Sequence, residues 1–344
     1  MPEFSSLERV NTFQIDPARR FYSAEHQEIL EGATTDIYFV RTYEILEKLN
    51  KADTKVVAEI FARKDGILAG VDEVRNLLRD KDVEIWSLQE GDSFTAKEVV
   101  MRISGPYNQF GLYETVLLGM LASSSGWATA ARIAKAACGD KPMYCFGARH
   151  VHPAVAPVME RAALVGGADG ASCILAAKLA GKEPSGTVPH AIFLIVGDTL
   201  EVAQAYHKFM PRDAKRLMLV DTFKDEVEET LRLAEKLGPA LDGIRLDTPS
   251  ERGGVTPELV REVRFRLDQA GYPHVKIFVS GGLYPEKIEL LVKAGADAFG
   301  VGSFISAAAP IDMTMDLKEV GGKAIAKRGR LPGITPTDRL QKIK

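Results

Sequence analysis

Residues 275–303 read VKIFVSGGLYPEKIELLVKAGADAFGVGS. The stretch opens on a run of strand length, 275–279, apolar but for Lys276, which Ser280-Gly281-Gly282 then breaks. Pro285 starts a helix. Ile288, Leu291 and Val292 share its buried face, and Gly295 stops it. A second strand follows over 298–301. Strand, helix and strand in this order imply parallel strands with helices packed outside them.

Outward from this unit the rhythm repeats. Strands are predicted at 143–146, 187–194, 217–220, 243–246, 275–279 and 298–301, with helices between. One helix begins at Thr256-Pro257, the hydroxyl as cap and the proline in first position. It buries Val260, Val263 and Leu267 and ends at Gly271. So many units predict an irregular parallel β/α barrel, closed or nearly closed, over residues 121–310. Upstream the texture changes. Strands are expected at 56–61, 83–88 and 99–103, with turns at Lys64-Asp65-Gly66 and Glu90-Gly91-Asp92 and a helix over 71–79. Residues 1–120 therefore read as a smaller N-terminal β-rich α+β lobe that ends in a bridging helix. Tyr113, Val116, Leu117, Met120 and Leu121 carry that helix, and Ser123-Ser124-Ser125-Gly126 is expected to interrupt it. Residues 311–344 are expected to be a tail packing back on the lobe. The fold class is α/β.

The chain has 344 residues, with 47 acidic and 44 basic side chains and a net charge of −3. This balance argues against a nucleic-acid partner, which calls for a basic excess or stripe. No apolar run reaches the ~20 residues that cross a bilayer, so no membrane partner is expected. The opening MPEFSSLERV lacks a basic-then-apolar signal pattern, and the expected location is cytoplasmic. Cys138, Cys145 and Cys173 form no CxxC pair, so neither a zinc knuckle nor a disulfide framework is expected.

In barrels of this kind chemistry sits where strands end. The polar residues there are Arg149, Asp169, His190, Asp221, Arg245 with Asp247, Ser280-Gly281-Gly282, and Gly300-Val301-Gly302-Ser303. Two glycine loops on adjacent units suit a phosphate, because glycine lets backbone N–H groups approach its oxygens. Tight turns are the plainer reading of the same glycines. Arg245 and Asp247 lie two apart and face one side of their strand. They suit an anion and a sugar hydroxyl or metal, or a structural ion pair. His190 alone reads more readily as a core histidine than as a catalyst. His150 and His152 lack a third metal ligand.

These motifs together resemble nicotinate phosphoribosyltransferase, over about residues 33–305. Thr34-Thr35-Asp36-Ile37-Tyr38 looks like the family's N-terminal Thr-Asp-x-Tyr. Ser104-Gly105-Pro106 with Tyr113-Glu114-Thr115 looks like its inter-lobe helix, and Phe146-Gly147-Ala148-Arg149 like its Phe-Gly-x-Arg. Residues 166–172, Gly-Gly-Ala-Asp-Gly-Ala-Ser, look like its Gly-Gly-Phe-Asp-Ser-Ser-Ser. Gly186-Thr187-Val188-Pro189-His190 looks like Gly-Thr-x-x-His, and Arg245-Leu246-Asp247-Thr248 like Arg-x-Asp-Ser.

The resemblance implies that ATP phosphorylates His190 and that Asp247 serves the sugar beside it as a catalytic carboxylate. It implies that Arg149, Arg245 and Thr187 hold phosphoribosyl pyrophosphate and the pyridine acid, with Asp169 and Ser172 shaping the ring pocket. Phe146, and Tyr38 from a neighbouring subunit, would sandwich the ring. Ser280, Gly281, Gly282, Gly300, Gly302 and Ser303 would take the 5′-phosphate, with Arg63 from the neighbour as a weaker ligand. The implied cofactors are ATP and Mg2+. No zinc is implied, because no cysteine follows Cys173 where some relatives carry a four-cysteine cluster. The implied assembly is a homodimer or higher homo-oligomer with shared sites, acting on small molecules in NAD salvage. Quinolinate and nicotinamide phosphoribosyltransferases are the alternatives, with a non-catalytic phosphoribosyl-binding relative as a third. The first is disfavoured by the lack of an Asp-Thr-Arg-Lys-Thr run.

Overall fold

A computed structural model of the chain describes residues 2–344. The chain divides into two compact units, one of residues up to Thr129 together with Ala309–Lys344, the other Ala130–Ala308.

The first unit is built on a six-stranded antiparallel sheet. Its strands are β1 (Lys55–Ala62), β3 (Glu84–Ser87), β5 (Val99–Pro106), β12 (Met313–Val320), β13 (Lys323–Ala324) and β14 (Gln341–Lys342), in the order β13-β12-β1-β5-β3-β14. A separate two-stranded ladder joins β2 (Gly66–Ile67) to β4 (Ser93–Phe94). Residues 311–344 thus supply half of the sheet's strands, with Met315 of β12 opposite Ile60 of β1. Ala58, Ile60, Ile85, Met101 and Ile103 are fully buried against Val74 and Leu78 of the helix Val71–Leu77 and its end. Removing these side chains from water is the unit's main stabilising term.

The helix Glu114–Cys138 runs without a break through Ser123-Ser124-Ser125-Gly126, where the sequence suggests an interruption. Serine and glycine are weak helix formers, and tertiary contacts override them here. Ser125 Oγ accepts the Ala69 N–H at 3.1 Å, and Thr129 Oγ1 accepts the Ile67 N–H at 2.9 Å. A Cβ on Gly126 would lie 2.4 Å from the Ala309 carbonyl oxygen. The small residues permit close approach of backbone, and the division between the two units falls inside this helix.

The second unit holds a six-stranded parallel sheet. Its strands are β6 (Met143–Cys145), β7 (Gly170–Ala171), β8 (Leu217–Leu219), β9 (Gly243–Leu246), β10 (Lys276–Ser280) and β11 (Ala298–Val301). The order β7-β6-β11-β10-β9-β8 sets chain-consecutive strands side by side and pairs the first, β6, with the last, β11. That is the circular order of a barrel. The ring stays open between β7 and β8, which share no ladder among the described residues. The Ser185 N–H donates to the Ala171 carbonyl at 2.8 Å, so an irregular strap borders that gap. The strand expected over 187–194 is absent. Thr187 and Val188 are irregular, Pro189 caps a helix, and His190–Val196 is helical. A five-residue apolar run fits a short helix as well as a strand, and proline contributes no ladder donor.

Three aspartates pin the starts of these strands in pairs. Asp169, just before β7, accepts the Met143 N–H at 2.8 Å and Lys135 Nζ at 2.9 Å. Asp242, just before β9, accepts the Arg216 N–H at 2.8 Å and Lys215 Nζ at 3.3 Å. Asp297, just before β11, accepts the Ile277 N–H at 2.9 Å and Lys276 Nζ at 3.2 Å. Each carboxylate takes an end-of-strand donor that no ladder satisfies. No helix among the described residues is long and apolar enough to cross a membrane.

Candidate active site

Parallel registry places the strand ends in one row. Cys145 pairs with Ala171 and Val301, Gly300 with Ser280, Val279 with Leu246, and Arg245 with Leu219. One or two residues further on, the edge carries Ser172, Phe146, Gly302, Gly281, Asp247 and Asp221.

Arg245 is the hub of this edge. Its Nε donates to Ser280 Oγ at 2.8 Å, Nη1 to Thr187 Oγ1 at 2.8 Å and Nη2 to Asp247 Oδ2 at 3.0 Å. Ser280 Oγ in turn donates to Asp247 Oδ1 at 2.9 Å. The planar fork of arginine spreads its donors over three nitrogens and so spans three acceptors, where a lysine would offer all its donors from one point. The guanidinium also lies 5.4 Å from the centre of the Phe146 ring. Phe146 stacks on Phe278 at 5.8 Å, and Phe278 on Tyr144 at 5.7 Å. This aromatic ladder walls a cavity of about 650 Å3 that extends to the strand starts at Leu217, Asp242, Lys276 and Ala298 and is lined by neither Arg245 nor Asp247 nor His190.

The glycines do different work at different places. Gly281 and Gly282 have φ of +88° and +58°, a left-handed path that disfavours any side chain. A Cβ on Gly281 would sit 2.8 Å from Asp247 Oδ1. Gly300 makes room for the Phe146 ring, which a Cβ would meet at 2.5 Å, and Gly302 for the His150 ring, at 2.8 Å. Ser303 begins the short helix Ser303–Ser306 behind Gly302.

His190 opens its helix and is about one-third exposed, with Nε2 3.1 Å from Oδ1 of the buried Asp221. Burial pushes the Asp221 carboxyl above the ordinary carboxylate range, while His190 pulls it back and Asp247 pushes further. Leu219 pairs with Arg245, so Asp221 and Asp247, each two residues further on, end neighbouring strands and the pair adjoins the Arg245 cluster. Asp221 Oδ2 and Thr222 Oγ1 are buried with no partner among the described residues.

Four expected residues lie elsewhere or are otherwise engaged. Asp169 is at the start of its strand, held by Lys135 and the Met143 N–H, and does not join the row at the strand ends. Ser172 is in the row, but its hydroxyl donates to Glu160 at 2.8 Å. Tyr38 and Arg63 belong to the first unit. Tyr38 is exposed with its ring 4.3 Å from that of Phe39, and Arg63 pairs with Asp312 at 3.0 Å with both side chains exposed. Arg149 follows β6 in the turn Ala148–His150 and is exposed, with no ion pair among the described residues. Two buried acids escaped the sequence reading. Glu160 ties the loops after β6 and β7, and Glu226 accepts Thr248 Oγ1 at 2.8 Å beside Asp247. An acidic residue inside an apolar helix run, as at Val158-Met159-Glu160, is the signal that could have found the first.

A parallel sheet with an arginine–carboxylate cluster, glycine turns and an oriented histidine along its strand ends is a frame in which a phosphate can be held. Two sequence models match: quinolinate phosphoribosyl transferase, N-terminal domain, over residues 36–125, and the C-terminal domain of the same, over residues 127–316. The chain belongs to the quinolinate phosphoribosyltransferase family. It is 46% identical to a nicotinate-nucleotide pyrophosphorylase from Pyrococcus furiosus, with a TM-score of 0.87 over 92% of this chain and 82% of that one. It is 32% identical over 254 residues to a nicotinate phosphoribosyltransferase of Mycobacterium tuberculosis, covering 71% of this chain and 53% of that protein. A nicotinate phosphoribosyltransferase of Bacillus subtilis is 31% identical over 226 residues, 63% of this chain and 44% of that one. The chain spans about half the length of these curated relatives.

Proposed function

We propose that this chain transfers the phosphoribosyl group of phosphoribosyl pyrophosphate to nicotinate, and that ATP drives the reaction through His190. The observation that carries the reading is the His190–Asp221 pair beside the Arg245 cluster. With Nε2 turned to the carboxylate, Nδ1 is the ring nitrogen left to attack the γ-phosphorus of ATP, the N–P bond forming as the P–O bond to ADP breaks and ADP leaves. An adjoining carboxylate both fixes the ring and steadies the positive charge that develops on it.

In the transfer itself the pyridine nitrogen forms a bond to the anomeric carbon as the carbon–oxygen bond to pyrophosphate breaks. The sugar passes through a state with positive charge at that carbon, which a nearby carboxylate stabilises. Asp247, held by Arg245 and Ser280, is the oriented carboxylate in this row. The turn at Gly281 and Gly282 brings backbone N–H groups within reach of the 5′-phosphate. Phe146, backed by Phe278, offers a flat face to a planar ring. In this reading Mg2+ arrives on the substrate's phosphates, an ion that takes one or two protein carboxylates. Asp221, with its unpartnered Oδ2, would hold it, and it would neutralise the departing pyrophosphate.

The family models are named for quinolinate, which makes quinolinate the second reading. A purified assay with nicotinate, nicotinamide and quinolinate, each with and without ATP, separates them. Nicotinate use stimulated by ATP is expected. Activity on quinolinate alone, indifferent to ATP, overturns the proposal. His190→Ala should abolish the stimulation and leave a slower ATP-independent transfer. ATP stimulation unchanged in that variant removes His190 from its role.

The proposed assembly is a homodimer with Tyr38 and Arg63 completing the neighbour's site. Ile174, Leu175 and Leu179 on one helix after the row, with Leu194 and Ile195 on the helix that His190 opens, are exposed apolar residues that suit burial against a second copy.

A further inference from the structure

We infer that Glu160 is the positioning residue for recognition of the pyridine acid, and that Ser172 acts through Glu160 and not on the ligand. The inference rests on the reading of the site given above. Glu160 is fully buried on the helix Ala156–Gly166, behind the strand ends. Its Oε1 accepts the Gly147 N–H at 3.1 Å, the Ala148 N–H at 3.0 Å and the Ser172 hydroxyl at 2.8 Å. Its Oε2 accepts the Cys173 N–H at 2.6 Å. One carboxylate, an acceptor only, therefore ties the loop after β6 to the loop after β7.

Two consequences follow for an anionic ring. First, Gly147 and Ala148 are the residues from which Arg149 projects, so Glu160 fixes the base of the exposed arginine that can meet a carboxylate. The turn is also pressed onto the same helix, because a Cβ on Gly147 would lie 2.7 Å from Met159 Cε. Second, a serine hydroxyl has a single proton, and that of Ser172 points to Glu160. Toward a ligand Ser172 then presents only lone pairs, which an incoming carboxylate repels. Acid recognition falls to Arg149 on a turn that Glu160 holds.

Glutamine in place of Glu160 keeps the shape but puts an NH2 group where one oxygen was. Its oxygen can face three of the donors only by turning the NH2 toward the Cys173 N–H, donor against donor. The test is a double-mutant cycle of Glu160→Gln and Ser172→Ala. It is read by steady-state kinetics, by calorimetric binding of nicotinate, and by thermal melting. Glu160→Gln should raise the nicotinate KM and Kd by about tenfold, with the KM for phosphoribosyl pyrophosphate nearly unchanged. Ser172→Ala should show a smaller rise, and the two effects should not add. Should Glu160→Gln fail to fold, Ser172→Ala alone decides. A selective change in the nicotinate constants that Arg149→Ala abolishes supports the inference. A lowered melting temperature with both substrate constants unchanged overturns it, and so do additive effects of the two substitutions. Absence of phosphoribosyl transfer in the unaltered protein would sink the proposed function instead, and the calorimetric cycle would still read the role of Glu160.

Discussion

Arg245 shows how much one side chain can organise. Its three nitrogens reach Ser280, Thr187 and Asp247, which come from three separate segments of the chain. Arg245→Lys keeps the charge and loses the fork, so kcat/KM should fall by about a hundredfold. Steady-state kinetics with a melting curve alongside checks this; a fall of less than about threefold would show that the fork is not needed. The residues of this cluster were legible in the sequence, because arginine and aspartate two apart on a strand must face one side. Glu160 was not, since a buried acid in a helix declares its partners only after the loops have folded around it. Asp169 misled for a related reason. Its motif marks a turn near a strand, and only the observed start of β7 at Gly170 places the carboxylate at the strand's beginning. Two of the cysteines are poor nucleophiles: burial pushes the Cys138 thiol up to about 12, and burial together with Glu160 pushes Cys145 upward as well.

Elements were read best where a single period ruled. The helices Pro257–Gln269 and Pro285–Ala294 carry proline starts, glycine stops and one apolar face, and all three signals agree. The helix Glu114–Cys138 was read as broken because serine and glycine weaken local propensity, while the contacts that hold it straight are distant in sequence. Gly126→Val should destabilise the protein by about 2–3 kcal/mol, since a Cβ there meets backbone that has little freedom to retreat. Denaturant melts check this, and a variant as stable as the parent would mean that the chain at Ala309 yields. The aspartate before β7, β9 and β11 recurs as Ala168-Asp169, Leu241-Asp242 and Ala296-Asp297. That repetition was visible, but its meaning needed the strand pairs.

At the scale of the whole molecule, stability and assembly are the accessible quantities. Glu114 is largely buried near Asp316, and burial first, then that neighbour, raises its carboxyl from 4.5 to about 7. The folded protein therefore keeps a proton that the unfolded chain has released. This contribution to stability is complete below about pH 4.5 and is lost as pH rises through 7. Glu114→Gln should stabilise the protein at pH 8 by about 1 kcal/mol, allowing for partial exposure, and the gain should fade below pH 5. Melting curves at both pH values check this, and an equal shift at each would point to packing instead of charge. For the assembly, mixing and refolding His190→Ala with Tyr38→Ala should restore part of the ATP-stimulated activity, because one of the two sites in a mixed dimer would be intact. No recovery would refute shared sites.

By itself the sequence determined the α/β class, five of the six parallel strands and most of the polar residues at their ends. These follow from periods and spacings a few residues long, which local chain geometry enforces. Only the tertiary structure decided that residues 313–320 pair with β1, that the ring of strands stays open between β7 and β8, and that His190 begins a helix facing Asp221. It also decided which donors Glu160 and Asp169 serve. Each of these depends on groups distant in sequence coming within about 3 Å in a water-poor interior, where unpaired polar atoms are costly and partners are chosen by the packing of the whole.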